Sequence, residues 1–190
     1  LEICLSRPVL SSHLFNQRQQ QNDRSQDRKC GRQAEWDSGN QITVTYRANE
    51  LAGEMGEACN IIKKLERERL GIRGSRATVE QLAEELADVV ICADLIAMGV
   101  GRPMEVDSGM PVGLKNGAEW GSSLAREVGR LCENVLYDRG RIAEVHCESV
   151  ERVTRAIAAH YDIDLNAAIV AKFNATSEKV GLKTRMEVIS

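Results

Sequence analysis

Proline is almost missing from this chain, and that limits the fold more than any other feature. The 190 residues contain three prolines, at Pro8, Pro103 and Pro111. Two long stretches, 9–102 and 112–190, therefore have none. Proline breaks helices and marks the turns of β-sandwiches, so its scarcity favours long helices and disfavours a turn-rich all-β fold. Only seven residues are aromatic (two Trp, three Tyr and two Phe), so the core must be mostly aliphatic.

Hydrophobic periodicity fills the proline-free stretches. From about 45 to 70, Leu51, Met55, Ala58, Ile62 and Leu65 recur at steps of three and four, the spacing of one helical face. Gly71 and Gly74 should end this helix. Thr78 with Gln81 three residues later forms a capping-box signature for the next one. There Leu82, Leu86, Val89, Val90, Ala93, Ile96 and Ala97 make a broad apolar stripe, closed by Gly99 and Gly101. Residues 102–117, with two prolines and three glycines, read as a loop. Helical patterns follow over about 118–137 and 142–160. A last helix begins near Asp164, its expected cap, and ends at Gly181. QITVTY at 41–46 is the only short strand candidate. The fold class expected is all-α.

The charge balance is 25 positive against 28 negative residues, so no overall cationic field is available for nucleic acid. The exception is a polar arm over 1–40, whose stretch 16–33 carries five positive and two negative residues. It reads equally as a frayed arm or as a helix docked by its few apolar residues, with Leu14 and Phe15 as candidate anchors. The apolar run Leu82–Val100 is interrupted by Glu84, Glu85, Asp88 and Asp94, too costly for a membrane span. The six cysteines include no CxxC pair, and no Cys/His set has zinc spacing apart from the adjacent His146 and Cys147. Reduced cysteines and a cytoplasmic location are expected.

Two acidic pairs stand out. Glu54 and Glu57 lie three residues apart on the first helix, and Glu85 and Asp88 do so on the second, so each pair shares a helical face. Both pairs border apolar stripes. An acidic pair on a helix is usually a solvated face. Two such pairs on successive helices can converge if the helices pack antiparallel. Four carboxylates brought together would repel one another and raise each other's pKa values, a conflict that a divalent cation removes. Oxygen-only ligands suit Mg²⁺ or Mn²⁺. A di-iron bundle would need Glu-x-x-His motifs, and no His stands three residues after a Glu.

ELAGEMGEACNIIKKLERE followed by EELADVVICADLIAM resembles the MazG-like all-α nucleoside triphosphate pyrophosphohydrolases, in particular their small phage-type members. The family hallmark is ExxE, a spacer and ExxD, matched in order by Glu54, Glu57, Glu85 and Asp88. The tail KFNATSEKVGLKTRM resembles the family's last helix, with Lys172 and Asn174 at the matching positions. The resemblance covers about 42–101 and 163–186. It implies a MazG-like helical bundle formed by 41–101 and 163–190, interrupted by a helical insertion over 102–162. It implies Mg²⁺-dependent hydrolysis of a nucleoside triphosphate between its α- and β-phosphates, giving a nucleoside monophosphate and pyrophosphate. Glu54, Glu57, Glu85 and Asp88 would hold the metal, with Glu54 and Glu57 closest to the chemistry. Lys172 would pair a phosphate and Asn174 a phosphate or the sugar, while Asn60, Lys64 and Trp36 are further substrate-binding candidates. Many family members have paired glutamates where this chain has Gly53-Glu54, so the residue that orients the water is open, and Glu50 is a candidate. Hairpins of this kind bury little surface alone, so a homodimer is expected. Neither nucleic acid nor a membrane is expected as a partner. The alternative is a non-catalytic helical interaction module that keeps the family shape and uses 102–162 as its working surface.

Overall fold

A computed structural model describes residues 27–101 and 114–187. They form helices α1 (27–36, the described part), α2 (Val44–Arg69), α3 (Val79–Gly99), α4 (Gly117–Leu136), α5 (Gly140–His160) and α6 (Leu165–Lys179). There is no strand among the described residues, and the chain is all-α. The candidate strand at 41–46 is instead a helix entry: Ile42 is followed by Thr43, whose hydroxyl accepts from the Tyr46 amide and caps α2. The candidate anchors Leu14 and Phe15, and most of the loop 102–117, lie outside the described residues.

The helix ends follow local chemistry. Thr78 and Gln81 form a reciprocal capping box at the start of α3. Asn116 caps α4 through the Glu119 amide, and Asp164 caps α6 through the Ala167 amide. These side chains satisfy amides that helix geometry leaves open. At the C-terminal end of α2, Gly71 takes φ +68°, a left-handed conformation that glycine adopts without steric cost.

Four helices close into a ring. Helix α2 packs on α3 and α4, and α5 packs on the other sides of α3 and α4. Helices α2 and α4 run antiparallel: the Cys132 thiol reaches the Ala48 carbonyl while, further along, the Cys59 thiol reaches the Gly121 carbonyl. The inward side chains include Leu51, Leu82, Leu86, Leu124, Leu131 and Ile157, all fully buried. Helix α6 packs on the outside of α3 and seats Phe173 in the core. Helices α4 and α5, expected as an insertion into a catalytic core, form half of the bundle.

The polar arm is partly helical and docked. On α1, Lys29 is buried and pairs with Asp94 of α3. The Arg32 guanidinium lies 3.9 Å from the centre of the Phe173 ring and donates to the Phe173 carbonyl. Glu35 accepts from the Lys183 and Thr184 amides, tying the tail beyond α6 to the arm. No helix among the described residues is long and apolar enough to cross a membrane, and the five cysteines described are free thiols.

Because α4 is core, Leu124→Ala should destabilise the whole molecule by ~2–5 kcal/mol, like a truncation in α3. Urea denaturation should show a single transition at lower midpoint. A separate early transition confined to α4 and α5 would contradict this packing.

Candidate metal centre

The α2–α3 hairpin brings the acidic pairs together. Carboxylate oxygens of Glu54, Glu85 and Asp88 lie within 4.8 Å of one another, and all three residues are partly buried. Glu57 is exposed at the rim of this group, and its charge acts on the other three. The antiparallel crossing explains the convergence, since it places Glu54, near the middle of α2, opposite Glu85 and Asp88 on α3. Those two keep to the α2-facing side because Leu86, Val89 and Val90 occupy the core side.

The electrostatics are those of crowded acids. Burial, followed by the charges of Asp88, Glu57 and Glu85, pushes the Glu54 carboxyl up to about 7. Burial also raises Glu85 and Asp88. Lys172 of α6 sets its ammonium 2.9 Å from Asp88 and 3.8 Å from Glu84. Burial works against the charged form of Lys172, but the Asp88 contact and the Glu85 and Glu84 charges outweigh it, so its pKa is raised. Lys172 thus partly neutralises Asp88 and leaves Glu54 as the strained member. Three converging carboxylates present an all-oxygen donor set of the kind that hard divalent cations take.

The other sequence candidates divide. Asn174 is engaged structurally: its carboxamide donates to the Met186 carbonyl at 2.9 Å and accepts from the Met186 amide at 2.8 Å. Asn60 is exposed on α2, one turn beyond Glu57, and Lys64 is half-buried a further turn along. Trp36 is 48% exposed at the end of α1, with the Arg47 guanidinium 5.2 Å from its ring centre. Beside it, a cleft of about 450 Å³ opens between α1, α2 and α3, lined by Gln33, Asp37, Asn40, Arg47, Leu95 and Met98 among others. Glu50, the upstream candidate, is an ion-pair partner of Arg47.

Two docked cations of α1 were missed by sequence reasoning, and one of them stands near the acids. Arg32 stands close enough to Asp88 for its charge to favour the ionised carboxylate. Lys29 is held down to about 8, chiefly by burial. Both belong to α1, and nothing in the periodicity of that polar stretch says which helix it covers. No family model, no curated protein and no solved structure matches this chain.

The raised Glu54 carboxyl has a consequence for folding. The folded protein keeps a proton there that the unfolded chain releases, so its stabilising effect is complete below about 4.5 and is lost as pH rises through about 7. Metal-free protein should therefore lose stability over this window, and Glu54→Gln should be the more stable protein at pH 7.5. The difference should be on the order of 1 kcal/mol, since the site is partly solvated. Thermal melts of both proteins at pH 5 and 7.5 measure it. Equal pH dependence in the two would show that Glu54 is not the strained acid.

Proposed function

We propose that this chain is a Mg²⁺-dependent nucleoside triphosphate pyrophosphohydrolase of the MazG-like all-α kind, cleaving between the α- and β-phosphates to give a nucleoside monophosphate and pyrophosphate. The observation that carries the reading is the convergence of Glu54, Glu85 and Asp88 from two successive helices, with Lys172 beside them. These are the residues at which the sequence resembles that family.

The donor chemistry fits a hard cation. All the converging donors are oxygens, and the elevated Glu54 carboxyl marks an excess of negative charge that a divalent ion would relieve. Glu54, Glu85 and Asp88 would hold Mg²⁺, or Mn²⁺ in its place, with Glu57 closing the site from the rim. A bound divalent cation would supply the positive charge that lets a polyphosphate approach these acids. Lys172 would exchange its Asp88 contact for a phosphate oxygen as the substrate enters. Glu54 and Glu57 are the carboxylates that would lie closest to the attacking water and orient it. The cleft lined by Arg47, whose guanidinium lies 5.2 Å from the Trp36 ring, is a candidate space for a nucleoside. Asn60 and Lys64 lie on the same helix as Glu57, where an extended phosphate tail could reach them.

With a panel of nucleoside triphosphates, pyrophosphate release should require Mg²⁺ or Mn²⁺. Glu85→Gln and Asp88→Asn should each lower kcat/KM by about 10²-fold or more, and Lys172→Ala should act mainly on KM. Well-folded wild-type protein that turns over none of the common ribo- and deoxyribonucleotides would remove the proposal.

A second reading, the non-catalytic interaction module, draws on a different observation. Leu136, Tyr137, Ile142 and Val145 are all exposed around the α4–α5 turn. Clustered exposed apolar side chains mark protein contacts, and the homodimer expected from the sequence would pack there. Sedimentation velocity should then show a dimer for the wild type and a monomer for Leu136→Lys combined with Val145→Lys. If turnover is absent while this dimerisation holds, the module reading replaces the enzyme.

A further inference from the structure

The two halves of the four-helix ring are alike in more than position. A shift of 73 residues carries the first residue of α2, Val44, onto the first residue of α4, Gly117, and the cap Thr43 onto the cap Asn116. A shift of 61 carries the whole of α3, Val79–Gly99, onto the whole of α5, Gly140–His160. The two shifts differ by twelve because α4 is six residues shorter than α2 and the link 137–139 is six residues shorter than the loop 70–78. Under the first shift, five of the twelve residues 51–62 are identical in 124–135: Leu51 with Leu124, Ala52 with Ala125, Glu54 with Glu127, Gly56 with Gly129 and Cys59 with Cys132. Under the second, buried Leu86, Val89 and Ile96 fall on buried Cys147, Val150 and Ile157.

The packing obeys the same correspondence. Cys59 donates to the Gly121 carbonyl at 3.5 Å, and Cys132 donates to the Ala48 carbonyl at 3.5 Å. Exchanging each residue for its counterpart turns one of these bonds into the other. That reciprocity is the mark of a two-fold axis, here passing between α2 and α4 near Glu54 and Glu127. A chance pairing of two amphipathic hairpins has no reason to share helix starts, the run of identities in α2 and α4, and reciprocal contacts under the same shift of 73.

The acids do not survive the correspondence. Glu54 maps to Glu127, but Glu57 maps to Arg130, Glu85 to His146 and Asp88 to Ser149. Glu127 is buried and is met by Arg126 at 2.7 Å, Arg130 at 3.4 Å and the His146 Nδ1 at 3.6 Å. The contact of Glu127 with His146 repeats the approach of Glu54 to Glu85. Where the first hairpin gathers repelling carboxylates, the second surrounds one carboxylate with its own basic side chains.

We propose that α4–α5 is a second copy of the α2–α3 hairpin, packed on the first by an internal two-fold axis, and that its counterpart of the acidic site has been rewritten into a self-neutralised cluster that takes no divalent cation, leaving one metal centre per chain. The metal half of this inference rests on the proposed function; the duplication does not.

Two measurements test it. In the first, Mn²⁺ binding is followed by electron paramagnetic resonance in the wild type and in Arg130→Glu/His146→Glu/Ser149→Asp, which restores the acids of the first copy. The restored variant, folded by circular dichroism, should bind about twice as many Mn²⁺ ions. The same number in both proteins would overturn the rewriting. In the second, nitroxide labels on a non-natural amino acid are placed at the exposed pair 60 and 126 and, separately, at the exposed pair 53 and 133. The axis exchanges these pairs, so their distance distributions should coincide, and clearly different distances would overturn the duplication. If the wild type binds no Mn²⁺, the metal reading fails and the label pairs alone decide the duplication. They also decide it if the restored variant does not fold.

Discussion

Helix α3 has almost no face that it can leave in water. From Leu86 to Ala97 it buries side chains on nearly every side, including Ala87, Ile91 and Cys92, which lie off its main stripe. A helix of this kind needs neighbours all round, and α2, α5 and α6 provide them. Everything else follows from that demand. The ring of four helices satisfies the inward stripe, and α6 covers the outward one with Phe173. The acids in the middle of α3 sit where a neighbour answers them: Asp94 against Lys29 of α1, and Glu85 and Asp88 in the seam with α2, where they meet Glu54. Burial therefore sets the geometry of the carboxylates, and their crowding is a by-product of the core. Lys172 answers part of that crowding because α6 lies on the same outer side of α3.

The helices were legible because their signals are local. Thr78 with Gln81, and Asp164, announce helix starts within four residues, and the apolar steps of α2 and α3 repeat every turn. The two acidic pairs were legible for the same reason, since i, i+3 spacing fixes a shared face whatever the tertiary fold. What could not be read was which faces meet. The stripes of α4 and α5 show that both are amphipathic, but not that they complete the bundle around α2 and α3. Asn174 shows the same limit: its carboxamide closes on the Met186 backbone, a contact made across a turn that the side-chain pattern does not encode. Trp36 meets Arg47 of α2, and only the fold of α1 against α2 could say so.

The relation between the two hairpins was present in the sequence but dispersed. The shared Leu-Ala-x-Glu-x-Gly-x-x-Cys spacing occupies part of one helix, and the shortening of both helix and loop breaks the register before α5. Three of the four acids were replaced, within a second hairpin whose α5 diverged along nearly its whole length. Some core positions survived, such as Leu51 with Leu124, Val89 with Val150 and Ile96 with Ile157, and Glu127 was retained in a changed setting where arginines balance it. The two copies thus show the same backbone carrying opposite electrostatic solutions. One concentrates negative charge, and the other cancels it.

The docking of α1 has a practical consequence for anyone shortening this chain. Its stretch of glutamines and arginines looks disposable, and a cut before residue 41 would appear to trim only an untidy end. Lys29 lies between Asp94 of α3 and the charge of buried Glu151 on α5. Removing it would leave two acids inside the molecule with less cation to balance them, and an uncompensated buried charge is far more damaging than a lost surface contact. The tail would also lose Glu35, which holds the Lys183 and Thr184 amides. A shortened fragment would thus be prone to misfold through its middle, far from the site of the cut.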